Sequence, residues 1–128
     1  MPYAIDRLIP DTAIDAADAR TRAALAAAGF GVLTEIDVVA TMQKKLGRTM
    51  DAYRILGACS PAMAWEAIAI EPRVGAMLPC NVILRAVEGG IEVSAIDPVA
   101  SMAAIDKPAL IALAGRVRAM LGDDVAAI

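Results

Sequence analysis

The stretch Tyr53–Asp97, YRILGACSPAMAWEAIAIEPRVGAMLPCNVILRAVEGGIEVSAID, holds both cysteines and the only tryptophan of a 128-residue chain. Tyr53–Cys59 is β-branched and aromatic at its start and reads as a strand. Ser60-Pro61 reads as an N-cap followed by proline at the first helical position, where a missing N–H costs nothing. The helix it opens, Pro61–Ile70, carries Ala64, Ala67 and Ile68 on one stripe and Glu66 off it. Glu71-Pro72 ends the helix, because a residue before proline is pushed out of the α region. Met77–Val87 is the most apolar strand, and Glu88-Gly89-Gly90 is a tight hairpin signal, since glycine reaches positive φ without steric cost. Ile91–Ile96 returns antiparallel. Alternation puts Leu78, Cys80, Val82 and Leu84 on one face of the outgoing strand, and Pro79, Asn81, Ile83 and Arg85 on the other. Pro79 lacks a ladder donor, so it marks a bulge or the start of regular pairing.

Toward the N-terminus, Tyr3–Ile9 alternates loosely and reads as an edge strand that Pro10 stops. Asp11 or Thr12 is expected to cap a helix running to Ala28, with Ile14, Ala17, Thr21, Ala24, Leu25 and Ala28 inward and Arg20 and Arg22 toward solvent. Gly29 stops it by tolerating the left-handed conformation. In the strand Phe30–Ile36, alternation gives Phe30, Val32, Thr34 and Ile36 one face and Gly31, Leu33 and Glu35 the other. Asp37 caps the short helix Val38–Leu46, which carries Val38, Met42 and Leu46 four apart, and Gly47 ends it. Toward the C-terminus come a helical piece at Val99–Ile105 and a last helix capped by Asp106, with Pro108 in its first turn. Leu110, Leu113, Ala114, Val117 and Leu121 form its stripe; Gly122-Asp123-Asp124 is expected to end it, leaving Val125–Ile128 as a frayed tail.

The resulting order, β-α-β-α-β-α-β-β-α, predicts an α+β fold: an antiparallel sheet of about five strands with helices packed mainly on one face. The length suits a single domain, residues 1–128. The other sheet face would carry Leu33 and either Ile83 or Val82, so a second copy or a ligand is expected to cover it.

Several of these segments together resemble the DUF302 family of small domains of uncharacterised function. The resembling residues are Gly29–Val38, Lys45-Leu46-Gly47, Tyr53–Cys59, Leu78-Pro79-Cys80-Asn81-Val82 and Ala95-Ile96-Asp97-Pro98. They cover nearly the whole chain in order. The resemblance implies an α+β fold, often a homodimer, and no established activity. Val39 and the plain, alanine-rich helices depart from the family pattern, but neither touches these motif positions.

Hydrophobic residues make up 59% and aromatics 3%, so the core must be aliphatic. The net charge of −3 argues against nucleic acid, whose phosphates need a basic face. The apolar region Ala62–Leu84 is no membrane span, because Glu66, Glu71, Pro72 and Arg73 interrupt it. The opening MPYAIDRLIPD lacks the segments of a secretory signal, so a cytoplasmic location and two free thiols are expected.

Histidine is absent, which removes the commonest general base and metal ligand. Gly29-Phe30-Gly31 precedes a strand rather than a helix, so it fails the context of a nucleotide fingerprint. Cys59 sits just before a helix N-terminus, a position expected to lower a thiol pKa. Cys80 is twenty-one residues further on, so the two thiols meet only through the fold. Together they suit a redox pair, a reactive thiol or a soft-ion site of the Cu(I) type, or else two small core residues. Core filling accounts for the seven scattered methionines better than a copper relay does. A second, polar group is Glu35, Asn81 and Asp97, with Tyr53 and Arg54 as possible anion contacts. Strand ends can converge at one rim, where two carboxylates share a proton or a cation; turn and cap roles are the plainer alternative.

These readings leave three functions in view. The first is a homodimeric small-ligand-binding domain with an apolar cleft near Cys59, Cys80 and Asn81. The second is a thiol-dependent redox or sulfur-transfer enzyme using Cys59 and Cys80. The third is a soft-metal carrier. Beyond that third reading the sequence names no metal site and no cofactor.

Overall fold

The computed structural model describes residues 2–128. Five strands, β1 (Ala4–Pro10), β2 (Gly31–Asp37), β3 (Tyr53–Cys59), β4 (Cys80–Val87) and β5 (Gly90–Ile96), form one antiparallel sheet in the order β1-β5-β4-β3-β2. The helices are α1 (Ile14–Ala27), α2 (Val38–Leu46), α3 (Pro61–Ile70), the single turn α4 (Pro98–Ser101) and α5 (Pro108–Ala127). The fold is α+β, as the element order predicts.

The alternation in β4 is realised: Cys80, Val82 and Leu84 are buried while Asn81 and Arg85 are exposed. Regular pairing starts at Cys80, opposite Ala58, so the strand begins three residues later than Met77. Pro72–Met77 forms a 3₁₀ turn instead, and the Leu78–Pro79 peptide is cis. Gly89 and Gly90 both take positive φ and close the β4–β5 hairpin.

Inward-facing residues of the central strands meet α1 and α5. Leu56, Val82, Leu84, Val93 and Ala95 pack with Ala17, Leu25, Val117 and Leu121 into the main core. A second core of Ala67, Val74, Met102, Leu110, Leu113 and Ala114 lies where α3 and the 3₁₀ turn meet the first half of α5. Met63 packs against both.

Some local expectations are corrected. Neither Asp11 nor Thr12 caps α1: Ala13 holds the N-cap without a side-chain bond, and the Thr12 hydroxyl donates to the Pro10 carbonyl. Likewise Lys107 rather than Asp106 occupies the N-cap of α5. On α3, Ala64 and Ala67 face inward as expected, but Ile68 is exposed, and Met63 and Ile70 complete the inner side instead. The helical piece after Asp97 is only Pro98–Ser101.

The last helix runs through Gly122-Asp123-Asp124 to Ala127, and Val125 and Ile128 are core residues rather than a frayed tail. One mid-helix glycine costs only about 1 kcal/mol, less than burying two aliphatic side chains returns. Arg7 and Arg20 also donate to carbonyls of this segment, Arg7 to Val125, Ala126 and Ile128, and Arg20 to Ile128.

In β2 a bulge between Val32 and Thr34 breaks the expected alternation. Val32 pairs with Ala58 on the helix side, but Thr34 and Ile36 pair with Gly57 and Ile55 on the opposite face. Glu35, opposite Leu56, is thereby turned to the helix side. Helix α2 buries no residue fully, and Met42 and Leu46 of its stripe are exposed while Val38 is half-buried. Asp37 does cap it, accepting from the Ala40 N–H at 3.0 Å, and Gly47 closes it in the left-handed region.

Candidate functional site

Cys59 and Cys80 are brought together. They leave adjacent strands, with Ala58 opposite Cys80 in the β3–β4 register, and both line one small cavity. The cavity holds about 30 Å³, room for little more than one atom, at the junction of the two cores. Phe30, Leu78, Leu113 and Val117 contribute apolar walls, and Met63 and Met102 add two thioethers. Cys80 is buried at 6% exposure and Cys59 is half-buried; both are free thiols.

The helix N-terminus does not lower the Cys59 thiol. Burial pushes it up, and burial followed by the neighbouring Cys59 pushes Cys80 up to about 11. Both sulfurs are therefore protonated at neutral pH in the metal-free chain, which disfavours thiolate nucleophilic chemistry.

Asn81 does not join them. It is exposed on the face opposite Cys80, because successive strand residues alternate, so no single cleft contains Cys59, Cys80 and Asn81. Glu35 and Asp97 do not converge either: β2 and β5 are separated in the sheet by β3 and β4. Glu35 pairs with Arg22 at 3.1 Å. Asp97 is buried, accepts from the N–H groups of Val99 and Ala100, and meets Arg118 Nε at 2.8 Å. Burial works to raise the Asp97 carboxyl, but Arg118 and the two N–H groups outweigh it and hold the carboxyl below its usual range. Arg54 is committed to Asp15 at 2.6 Å and Asp18 at 3.2 Å, which leaves it no anion to bind.

Tyr53 lies on the sheet face that α1 and α5 leave bare. There it lines a shallow trough of about 630 Å³ with Tyr3, Asp6, Ile83, Arg85, Glu92 and Ser94. Ile83, not Val82, is on this face. Gly57 belongs to it too: a Cβ there would collide with the Thr34 hydroxyl and the Pro79 ring.

Sequence reasoning missed Met63 and Met102 as neighbours of the thiols. Met63 is in the first turn of α3, four residues after Cys59 at the end of β3, so the chain itself keeps the two near each other. Met102 lies forty-three residues beyond Cys59 and carries no such signal. Asp18, buried between Arg22 and Arg54, was also missed, though its i,i+4 spacing to Arg22 was readable.

Among the described residues, no group of three His, Cys, Asp or Glu side chains is placed to hold a metal. Nor is any helix among them long and apolar enough to cross a membrane.

The model of the family described as "Domain of unknown function DUF302" matches residues 8–128. The chain is similar in fold to a crystal structure titled as an uncharacterised conserved DUF302 protein from Bacillus stearothermophilus. The two share 22% identity and a TM-score of 0.91, over 98% of each chain. No curated protein matches this sequence.

Proposed function

The chain belongs to the DUF302 family, and we propose that it is a single-domain, homodimeric small-ligand-binding protein whose two copies meet through the helix-free face of the sheet. The observation that carries this reading is that bare face. Ile36, Ile55, Ile83 and Leu8 lie on it; Leu8 and Ile36 are each 47% exposed, and Ile55 and Ile83 are half-buried. Five strands of about seven residues present roughly 500 Å² per chain, from ~4.8 Å between strands and ~3.3 Å per residue. Two copies then bury about 1,000 Å², the lower bound of a specific interface. The face also carries Arg85 and Glu92, paired with each other within the chain at 2.9 Å, and Asp6. The α2 stripe, with Leu46 63% exposed, adds apolar surface that a partner can cover.

Closing the trough between two copies converts an open surface into a chamber whose polar groups, Tyr53, Ser94, Asp6 and Arg85, suit a small mixed-polarity ligand. Asn81 stands on the same face beyond it, and Glu35 and Asp97 serve the fold. Two unbridged thiols suit a reducing compartment such as the cytoplasm. The redox-enzyme alternative loses weight because both thiols are held protonated.

Sedimentation equilibrium tests the reading. The wild-type chain is expected as a dimer at micromolar concentration, and Ile83→Arg as a monomer with unchanged far-UV circular dichroism. A wild-type monomer, or a dimer indifferent to Ile83→Arg, overturns it.

A further inference from the structure

We propose that the cavity between β3, β4, α3 and α5 is a site for one soft monovalent cation of the Cu(I) class, ligated by Cys59 and Cys80 and completed by the thioethers of Met63 and Met102. The proposal goes beyond the sheet-face dimer and is independent of it.

Three features point to this ligand class. The first is donor chemistry. Four sulfur-bearing side chains line a space whose other walls are almost wholly aliphatic or aromatic, with Ser60 the one hydroxyl. Thiolate and thioether donors select Cu(I) over hard cations, which need oxygen ligands this cavity lacks.

The second is size. About 30 Å³ excludes an organic ligand and admits a single ion. Water fits the same volume but needs two or more polar partners, and these walls supply few.

The third is the route the fold takes to assemble the four. Cys59 ends β3 and Cys80 begins β4, Met63 is in the first turn of α3, and Met102 follows α4. Four separate elements contribute one sulfur residue each. Cys80 and Met102 are buried on the inner side, while Cys59 is half-buried and offers a way in.

Charge balances without a buried counter-ion. An incoming Cu(I) displaces the Cys59 proton to solvent, and the copper–thiolate unit is then neutral, with the thioethers as neutral donors. If Cys80 also releases its proton, one net negative charge remains. Cys59 is half-buried, so that charge stays within reach of solvent. No change of oxidation state is required.

The test uses the full reduced chain under anaerobic conditions, titrated with Cu(I) against a chromophoric Cu(I) chelator. One Cu(I) per chain is expected to be retained, with Zn(II) and Mg(II) unable to displace it. Cys59→Ser and Cys80→Ser are each expected to weaken retention at least a hundredfold, and Met63→Leu about tenfold while leaving both thiols in place. X-ray absorption at the copper edge of the wild-type complex reads the shell directly, and does so even if a cysteine variant fails to fold. A shell of sulfur alone supports the site. Nitrogen or oxygen neighbours, loss of all copper to the chelator, or affinity unaffected by Met63→Leu overturns it. A monomer that still retains copper overturns the dimer and leaves this site standing.

Discussion

Cys59 and Cys80, twenty-one residues apart in sequence, line one cavity from neighbouring strands, yet they differ in access: Cys80 is buried and Cys59 only half so. Reagent must therefore reach Cys80 through an opening of the structure, whereas Cys59 is met from outside. Alkylation of the reduced chain by iodoacetamide, followed by mass spectrometry, is expected to label Cys59 at least tenfold faster than Cys80. In denaturant the two rates converge. Equal rates in the native chain contradict this placement.

Asp97 joins the end of β5 to α4 and α5 at once, through the Val99 and Ala100 N–H groups and Arg118. Its folded pKa is depressed, so its contribution to stability is present above the unfolded value and is lost as pH falls through the folded one. Asp97→Ala removes a cap and a buried charge-assisted bond, at a cost of about 2–3 kcal/mol at neutral pH. Chemical denaturation at neutral and acid pH measures it, and the difference between the two proteins is expected to shrink on acidification.

Asp124 behaves in the opposite sense. Its Oδ2 is buried without a hydrogen-bond partner, and burial, then Asp123, raises its pKa to about 6. The protonated form therefore favours the folded state: the benefit is full below the unfolded pKa and is lost as pH rises through about 6. Asp124→Asn is expected to stabilise the protein at pH 8, by at most roughly 3 kcal/mol, and to make no difference near pH 4. Paired thermal melts across that range decide it.

The strands were legible because their side chains alternate cleanly, as from Cys80 to Leu84, and because Gly89-Gly90 announces a hairpin. The β2 bulge was not, since a single inserted residue leaves no mark on composition while it moves Thr34 and Ile36 to the other face. The end of α5 was misread for a related reason: Gly122 and two aspartates are local stop signals, but Val125 and Ile128 are held by distant contacts with the main core. The thiol pair was readable as a pair of segments. Asn81 was grouped with the thiols in one cleft, although the alternation already put it on the face opposite Cys80. Met102 reaches the cavity only through tertiary folding.

Gly57 makes the bare face flat at its crowded end. Because the Thr34 hydroxyl and the Pro79 ring occupy the space of a Cβ, Gly57→Ala forces one of them to move. Overpacking of this kind costs about 1–3 kcal/mol. Thermal denaturation is expected to show the loss, and Thr34→Ala in the same chain is expected to recover part of it.

Coverage of the sheet by a second copy is read out by isotope-filtered NMR on a mixture of methyl-labelled and unlabelled chains. Cross-chain contacts are expected at the methyl groups of Ile55 and Ile83. Cross-chain contacts confined to the helix side, at Trp65 and Ile68 of α3, or none at all, contradict it.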